Sequence, residues 1–337
     1  MSLTYPEAIV VGALQGVSEL FPVSSLGHAV LVPALVGGRW ATDLSVSAPE
    51  SPYLAFIVGL HVATALALLV FYWRDWVRIV AGLLDSVRHR RVTTPDARLG
   101  WLLLIATIPV GLTGLLLEHV FRTTLGRPVP AAAFLMVNGV ILVAGERLRR
   151  REQAHAVPAT VTAGRATSAD VVGSAGPGQG DAAPAGDGDG SRPVDDALPV
   201  TGDDAAADAR LAGLGVWDAF LVGASQSLAL LPGISRSGVS MVAGLFRGLT
   251  HADAARFSFL LATPVILAAG VLKLPDLFGP LGEAVRGQVL AGSAAAFVAA
   301  YLSVRWLTRW FRTRTLVPFA IYCLVVGAVS LVVLSVR

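Results

Sequence analysis

Charge is scarce in this chain. Only 15% of its 337 residues are Asp, Glu, Lys or Arg, against about 25% in an average soluble domain. A water-soluble protein of this size could not hide the remaining apolar surface, since 54% of the residues are hydrophobic and the mean hydropathy is +0.67. An ordinary cytosolic enzyme, a nucleic-acid-binding domain and whole-chain disorder are all excluded. Cysteine is nearly absent too. Cys323 stands alone in an apolar run, which rules out an internal disulfide and a thiolate metal cluster. The first residues, Met1 to Glu7, lack a basic stretch, so they do not read as a cleaved signal peptide. No run shows the alternating ten-residue pattern of barrel strands.

What is present is a set of long apolar runs. Six of them, at 53–73, 101–120, 131–147, 256–275, 287–307 and 315–335, are long enough to cross a bilayer as helices. Two further runs, 6–35 and 216–249, are apolar but interrupted by Pro, Gly and Ser. Arginine sets the orientation. The 74–98 loop, the Arg147–Arg151 run and the 305–314 loop are Arg-rich and therefore cytoplasmic. These anchors agree only if 216–249 enters and leaves on the cytoplasmic side, as a re-entrant hairpin or two short crossings, and 6–35, as a hairpin, on the outer side. Both termini then lie outside.

Residues 152–210 carry ten acids and three Arg, leaving 23 basic and 13 acidic residues elsewhere. The pI of 9.4 thus reflects Arg loops and not a nucleic-acid footprint. That segment is rich in Ala, Gly, Asp and Pro and reads as a disordered cytoplasmic linker. It separates two similar halves, 1–151 and 211–337. A shift of 211 residues pairs Gly12 with Gly223, Gln15 with Gln226, Ser24 with Ser235 and Gly27 with Gly238. Each half holds a hairpin and three crossings, an odd number, so the halves are inverted. The expected fold is an all-α polytopic membrane protein. It has six transmembrane helices plus two re-entrant helical hairpins in two inverted-topology repeats.

The hairpins hold the chemistry. In the first, Gln15 and Glu19 share a helix face, Pro22 breaks the helix, and Ser24 or Ser25 can cap a second helix that carries His28. An acid and an imidazole inside an apolar run are costly and point to function. In the second, Ser235-Arg236-Ser237-Gly238 follows a Pro-Gly break, and Ser240 lies one turn on. A helix start offers free N–H groups to an anion, and Arg236 adds a forked positive charge. Ser24, Ser235, Arg236, Ser237, Gly238 and Ser240 are therefore the candidate phosphate ligands. Phosphate-ester or diphosphate hydrolysis follows, with a Ser as nucleophile and His28 as its base, or an attacking water in place of the Ser. Glu19 and Gln15 are candidate ligands of a divalent cation such as Mg²⁺, and Glu19 is alternatively a base. His61 reads as a satisfied core residue and Asn138 as a helix–helix contact. Trp306 reads as an interfacial aromatic. A transporter of lipid phosphate, built on the same broken helices, is the competing reading. A membrane scaffold whose linker recruits partners is the third.

The stretch from Gln15 to His28 closely resembles the first signature of the undecaprenyl-diphosphatase family, also called bacitracin-resistance proteins. Leu231 to Gly238 resembles its second signature, and Phe257–Pro264 and Pro318–Tyr322 are also similar. The resemblance implies a phosphatase that converts undecaprenyl diphosphate to the monophosphate carrier of peptidoglycan synthesis, mainly at the outer leaflet. It implies Glu19, Ser25, His28 and Arg236 as the active site and a divalent cation, Mg or Ca. The implied partners are the lipid diphosphate and membrane lipid, with no nucleic acid; a homo-oligomer is compatible with the chain. This sequence departs from the family pattern at Gln15, Ile57, Arg256 and Cys323, where acids or, at the last position, Arg are common. Ser240 replaces a frequent Thr.

Overall fold

The computed structural model describes residues 3–44, 52–120, 124–156, 202–278 and 285–336. They are helical, with no strand among them. The helices of the first half are α1 (Tyr5–Leu20), α2 (Ser25–Val36), α3 (Gly38–Asp43), α4 (Pro52–Phe71), α5 (Trp73–His89), α6 (Pro95–Val120) and α7 (Pro128–Ala156). Those of the second are α8 (Gly202–Ala212), α9 (Val216–Ser225), α10 (Arg236–Phe246), α11 (His251–Phe278), α12 (Arg286–Trp310) and α13 (Val317–Val336). A 3₁₀ turn, Gln226–Leu230, extends α9.

Five of these helices, α6, α7, α11, α12 and α13, are long and apolar enough to cross a membrane. These helices expose large apolar side chains, among them Leu116, Leu290 and Val332, while exposed arginines such as Arg147 and Arg309 lie toward helix ends. Such a surface is stable only against lipid or another apolar partner. The chain is a multi-pass membrane protein.

The first expected span ends earlier than its hydropathy suggests. After Phe71 the chain bends by 84° into α5, so the Arg-rich stretch expected as a loop begins as a helix. The sequence explains the bend. α4 is apolar all round, whereas α5 alternates Arg74, Arg78 and Arg88 with Trp73, Val77, Val80, Leu84 and Val87, a two-faced pattern that cannot follow α4 into hydrocarbon. Those five apolar residues form one exposed stripe, while Asp75, Ile79 and Ser86 face the protein.

The expected linker is also shorter than 152–210. Helix α7 runs to Ala156, and α8 begins at Gly202; residues 157–201 lie outside the described part. α8 is anchored by charge. Asp208, 1% exposed, accepts from Arg78 Nη2 at 2.6 Å and from Arg256 Nε at 2.8 Å. Arg256 also lies 3.1 Å from Asp75 and over the Tyr72 ring, and Arg210 forms a two-pronged pair with Asp253. Buried charges must be paired in this way to be tolerated.

The two halves pack alike. α1 packs along α12, and its counterpart α9 packs along α6. Close approach of these pairs requires glycine at equivalent positions. A Cβ at Gly12 would strike the Gly292 carbonyl, and one at Gly223 would strike the Ala106 carbonyl. α4 packs against α11 and α7 against α13. The breaks after α1 and after the 3₁₀ turn meet in the interior.

Candidate active site

Each break ends in a serine cap. Pro22 follows α1 and cannot continue it, and Ser24 caps α2, its Oγ accepting from Gly27 N–H at 3.1 Å. Ser235 caps α10 in the same manner, its Oγ accepting from Gly238 N–H at 3.2 Å. The two caps are the pair that the 211-residue shift aligned. They differ in backbone. Ser24 has φ +71°, an uncommon conformation for a residue with a Cβ, whereas Ser235 has φ −87°. Gly233 carries the positive φ of the second break, +112°, where a Cβ would also collide with the Ala131 carbonyl of α7.

The breaks are stitched to one another. Ser24 Oγ also accepts from Gly233 N–H at 3.2 Å, and Ser237 Oγ donates to the Phe21 carbonyl at 3.3 Å. As a result Arg236, the first residue of α10, reaches Glu19 near the end of α1. Its Nη2 donates to Glu19 Oε1 at 2.6 Å and its Nη1 to the Ala262 carbonyl at 3.3 Å. The other carboxylate oxygen, Oε2, accepts from Ser25 Oγ at 2.5 Å and from Gln15 Nε2 at 2.9 Å. His61 of α4 completes the cluster. Its Nδ1 donates to the Ile57 carbonyl, and its Nε2 lies 3.2 Å from Gln15 Nε2 and 3.4 Å from Glu19 Oε2. A buried carboxylate with one cation and several donors around it is stable in this setting.

Glu19, Ser25 and Arg236 are thus brought together as expected. His28 lies one turn beyond Ser25 but is not bonded to it. Its Nδ1 donates to the Ser24 carbonyl at 2.7 Å, so its Nε2 accepts from the Tyr322 hydroxyl at 2.8 Å. The carboxylate of Glu19, and not His28, holds the serine proton. The other expected phosphate ligands are engaged in the scaffold. Ser24, Ser235 and Ser237 cap and stitch the breaks, and Ser240 Oγ donates to the Arg236 carbonyl at 2.8 Å and lies 2.7 Å from Ser258 Oγ. All four are buried. Arg236 is the one member of that set whose side chain enters the Glu19 cluster.

His61 and Tyr322 were not expected in the site. Their contacts span 46 and 294 residues, which no local spacing reveals, although His61 is an imidazole in an apolar helix. Trp306, half exposed, also touches the site's scaffold. It stacks on Phe21 at 5.4 Å and braces the first break.

The side chains around Glu19 do not by themselves enclose the expected cation. Gln15 turns its amide N–H₂ to Glu19 and His61, and both Glu19 oxygens already accept. Among the described residues no group of three or more His, Cys, Asp and Glu converges, so a divalent cation here would rest on Glu19 and the phosphates of the substrate. The arrangement is a hydroxyl held by a carboxylate, beside a guanidinium that can exchange that carboxylate for an anionic ligand.

Comparison with known proteins matches the chain to the family model described as "Bacitracin resistance protein BacA" over residues 8–173 and 199–329. The chain is 64% identical to the undecaprenyl-diphosphatase of Mycolicibacterium paratuberculosis, over 99% of both chains. It is 58% identical to undecaprenyl-diphosphatase 1 of Frankia casuarinae over 98% of both. To undecaprenyl-diphosphatase 2 of Chromobacterium violaceum it is 38% identical, over 96% of this chain and 97% of that one.

Proposed function

The chain belongs to the bacitracin resistance protein BacA family, and from that premise we propose that it hydrolyses undecaprenyl diphosphate to undecaprenyl phosphate and phosphate. The observation that carries the reading is the Ser25–Glu19–Arg236 constellation. The terminal phosphate takes Arg236 from Glu19, and the carboxylate, relieved of its cation, becomes the stronger base for the Ser25 proton. Ser25 Oγ then bonds to the terminal phosphorus while the bond from phosphorus to the bridging oxygen breaks, and the lipid monophosphate leaves with those electrons. Water releases phosphate from the serine in a second displacement, and the serine recovers its proton from Glu19. His28 Nε2, in place of the proton of the Tyr322 hydroxyl, takes the proton that the attacking water gives up and passes it to the departing phosphate. A transporter would need Arg236 but not a serine hydroxyl held by a carboxylate, so hydrolysis accounts for more of the site.

In this reading the six crossings are α4, α6, α7, α11, α12 and α13. α1–α2 and α9–α10 are the re-entrant hairpins of two inverted repeats, supported by the matched serine caps and matched packing. α5 lies flat on the cytoplasmic face with its apolar stripe in the lipid boundary. The linker is cytoplasmic, and the site faces the extracytoplasmic side of the cell membrane. The product re-enters the carrier cycle of peptidoglycan synthesis. As the family's description implies, expression in a sensitive bacterium raises bacitracin tolerance, and expression of Arg236→Ala does not. Equal tolerance from both forms would refute the proposal.

A further inference from the structure

The two halves of the site lie on hairpins more than 200 residues apart, yet Arg236 and Glu19 meet at 2.6 Å. Something must fix one break against the other. Each break leaves backbone groups without helical partners. At the first, the Pro22 carbonyl points inward past the end of α1. At the second, the Ser235 N–H precedes the first turn of α10. A single side chain from a third helix answers both. Asn138 of α7, fully buried, donates from Nδ2 to the Pro22 carbonyl at 3.0 Å and accepts at Oδ1 from Ser235 N–H at 3.0 Å. Its Nδ2 also lies 3.3 Å from Cys323 Sγ on α13. An amide is the side chain that supplies a donor and an acceptor in one rigid plane, so the two breaks are held in fixed register. Pro22 is three residues from Glu19, and Ser235 adjoins Arg236.

We propose that Asn138 is the positioning residue that aligns Arg236 with the Glu19–Ser25 pair for phosphate transfer. The proposal rests on the hydrolase reading above for its kinetic consequences, but not for its structural ones. The amide touches neither substrate nor reacting atoms; it acts through the backbone of the two breaks. A shift of about an ångström between the halves is enough to cost about a hundredfold in rate.

The test uses full-length protein in detergent. Asn138→Leu keeps the side-chain volume and removes both hydrogen bonds. It lowers kcat for the lipid diphosphate by about a hundredfold and changes KM by less than about threefold. If Asn138 acts through Arg236, the same substitution in an Arg236→Lys background costs less than about threefold more. A residue that merely supports the fold would cost the same in both backgrounds. Amide hydrogen exchange, read without substrate, reports the clamp itself: exchange rises at 21–24 and at 231–235 together. Asn138→Asp keeps the acceptor for Ser235 and loses the donor for Pro22, so exchange rises at the first break alone. Should the leucine variant fail to fold, the aspartate variant decides by that asymmetry. Wild-type kinetics in Asn138→Leu, or equal losses in both backgrounds, overturns the proposal. If the wild-type protein releases no phosphate, the hydrolase reading fails, and the exchange pattern alone decides the clamp: unchanged exchange at both breaks overturns it.

Discussion

Ser25 Oγ donates a 2.5 Å hydrogen bond to Glu19 Oε2, across the break that separates α1 from α2. The pairing aims the serine proton at a carboxylate that is itself held by Arg236. It favours the hydroxyl over a water molecule as nucleophile. Ser25→Ala therefore lowers kcat by at least about a thousandfold, measured as phosphate release from a lipid diphosphate. A water nucleophile activated by Glu19 would leave Ser25→Ala within about tenfold of wild type.

The His28–Tyr322 hydrogen bond makes a graded prediction. Tyr322→Phe removes the hydroxyl that meets His28 Nε2 at 2.8 Å and retains the ring stacked on the imidazole at 5.8 Å. kcat falls by about tenfold, and His28→Ala falls further, by about a hundredfold or more. If the pair is only structural, both variants keep wild-type kcat and differ in thermal stability alone.

Asp208 is the buried hub of the charge cluster on α5, α8 and α11. Asp208→Ala leaves Arg78 and Arg256 short of a partner and destabilises the fold by about 3–5 kcal/mol, read as a fall in the melting midpoint in detergent. Deleting residues 157–201 leaves activity largely intact, whereas a deletion of 152–210 takes Asp208 with it and lowers the midpoint. Equal stability of the two deletions would contradict the role given to α8.

Much of this was legible in the chain. The two breaks and their serine caps follow from local signals: Pro or Pro-Gly within an apolar run, then Ser. The 211-residue shift aligned the caps before any coordinates did. What the sequence concealed are contacts with no local spacing. His61 reaches Glu19 from α4, Tyr322 reaches His28 from the last helix, and Arg256 of α11 reaches Asp208 of α8. The hydroxyls of Ser24, Ser235, Ser237 and Ser240 looked like phosphate ligands because caps and anion sites use the same residues. Their partners show that in this structure they cap and stitch the breaks. The Arg-rich stretch after α4 read as a loop because charge was weighed over period.

The donor set around Glu19 predicts a simple response to chelation. With Gln15 presenting its amide N–H₂ and both carboxylate oxygens engaged, the expectation is that any cation binds together with the substrate phosphates and not to the protein alone. EDTA leaves its melting midpoint in detergent unchanged, and millimolar Mg²⁺ or Ca²⁺ does not raise it. A rise that is lost in Glu19→Gln would assign a resident metal to the site.

Phosphate release from undecaprenyl diphosphate by the purified protein in detergent tests the central claim most directly, with wild type and Glu19→Gln run side by side. The Ser25–Glu19–Arg236 arrangement predicts steady turnover by the wild type and at least about a thousandfold less by a folded Glu19→Gln. Tight binding of the lipid diphosphate without turnover, or full turnover by Glu19→Gln, would contradict it.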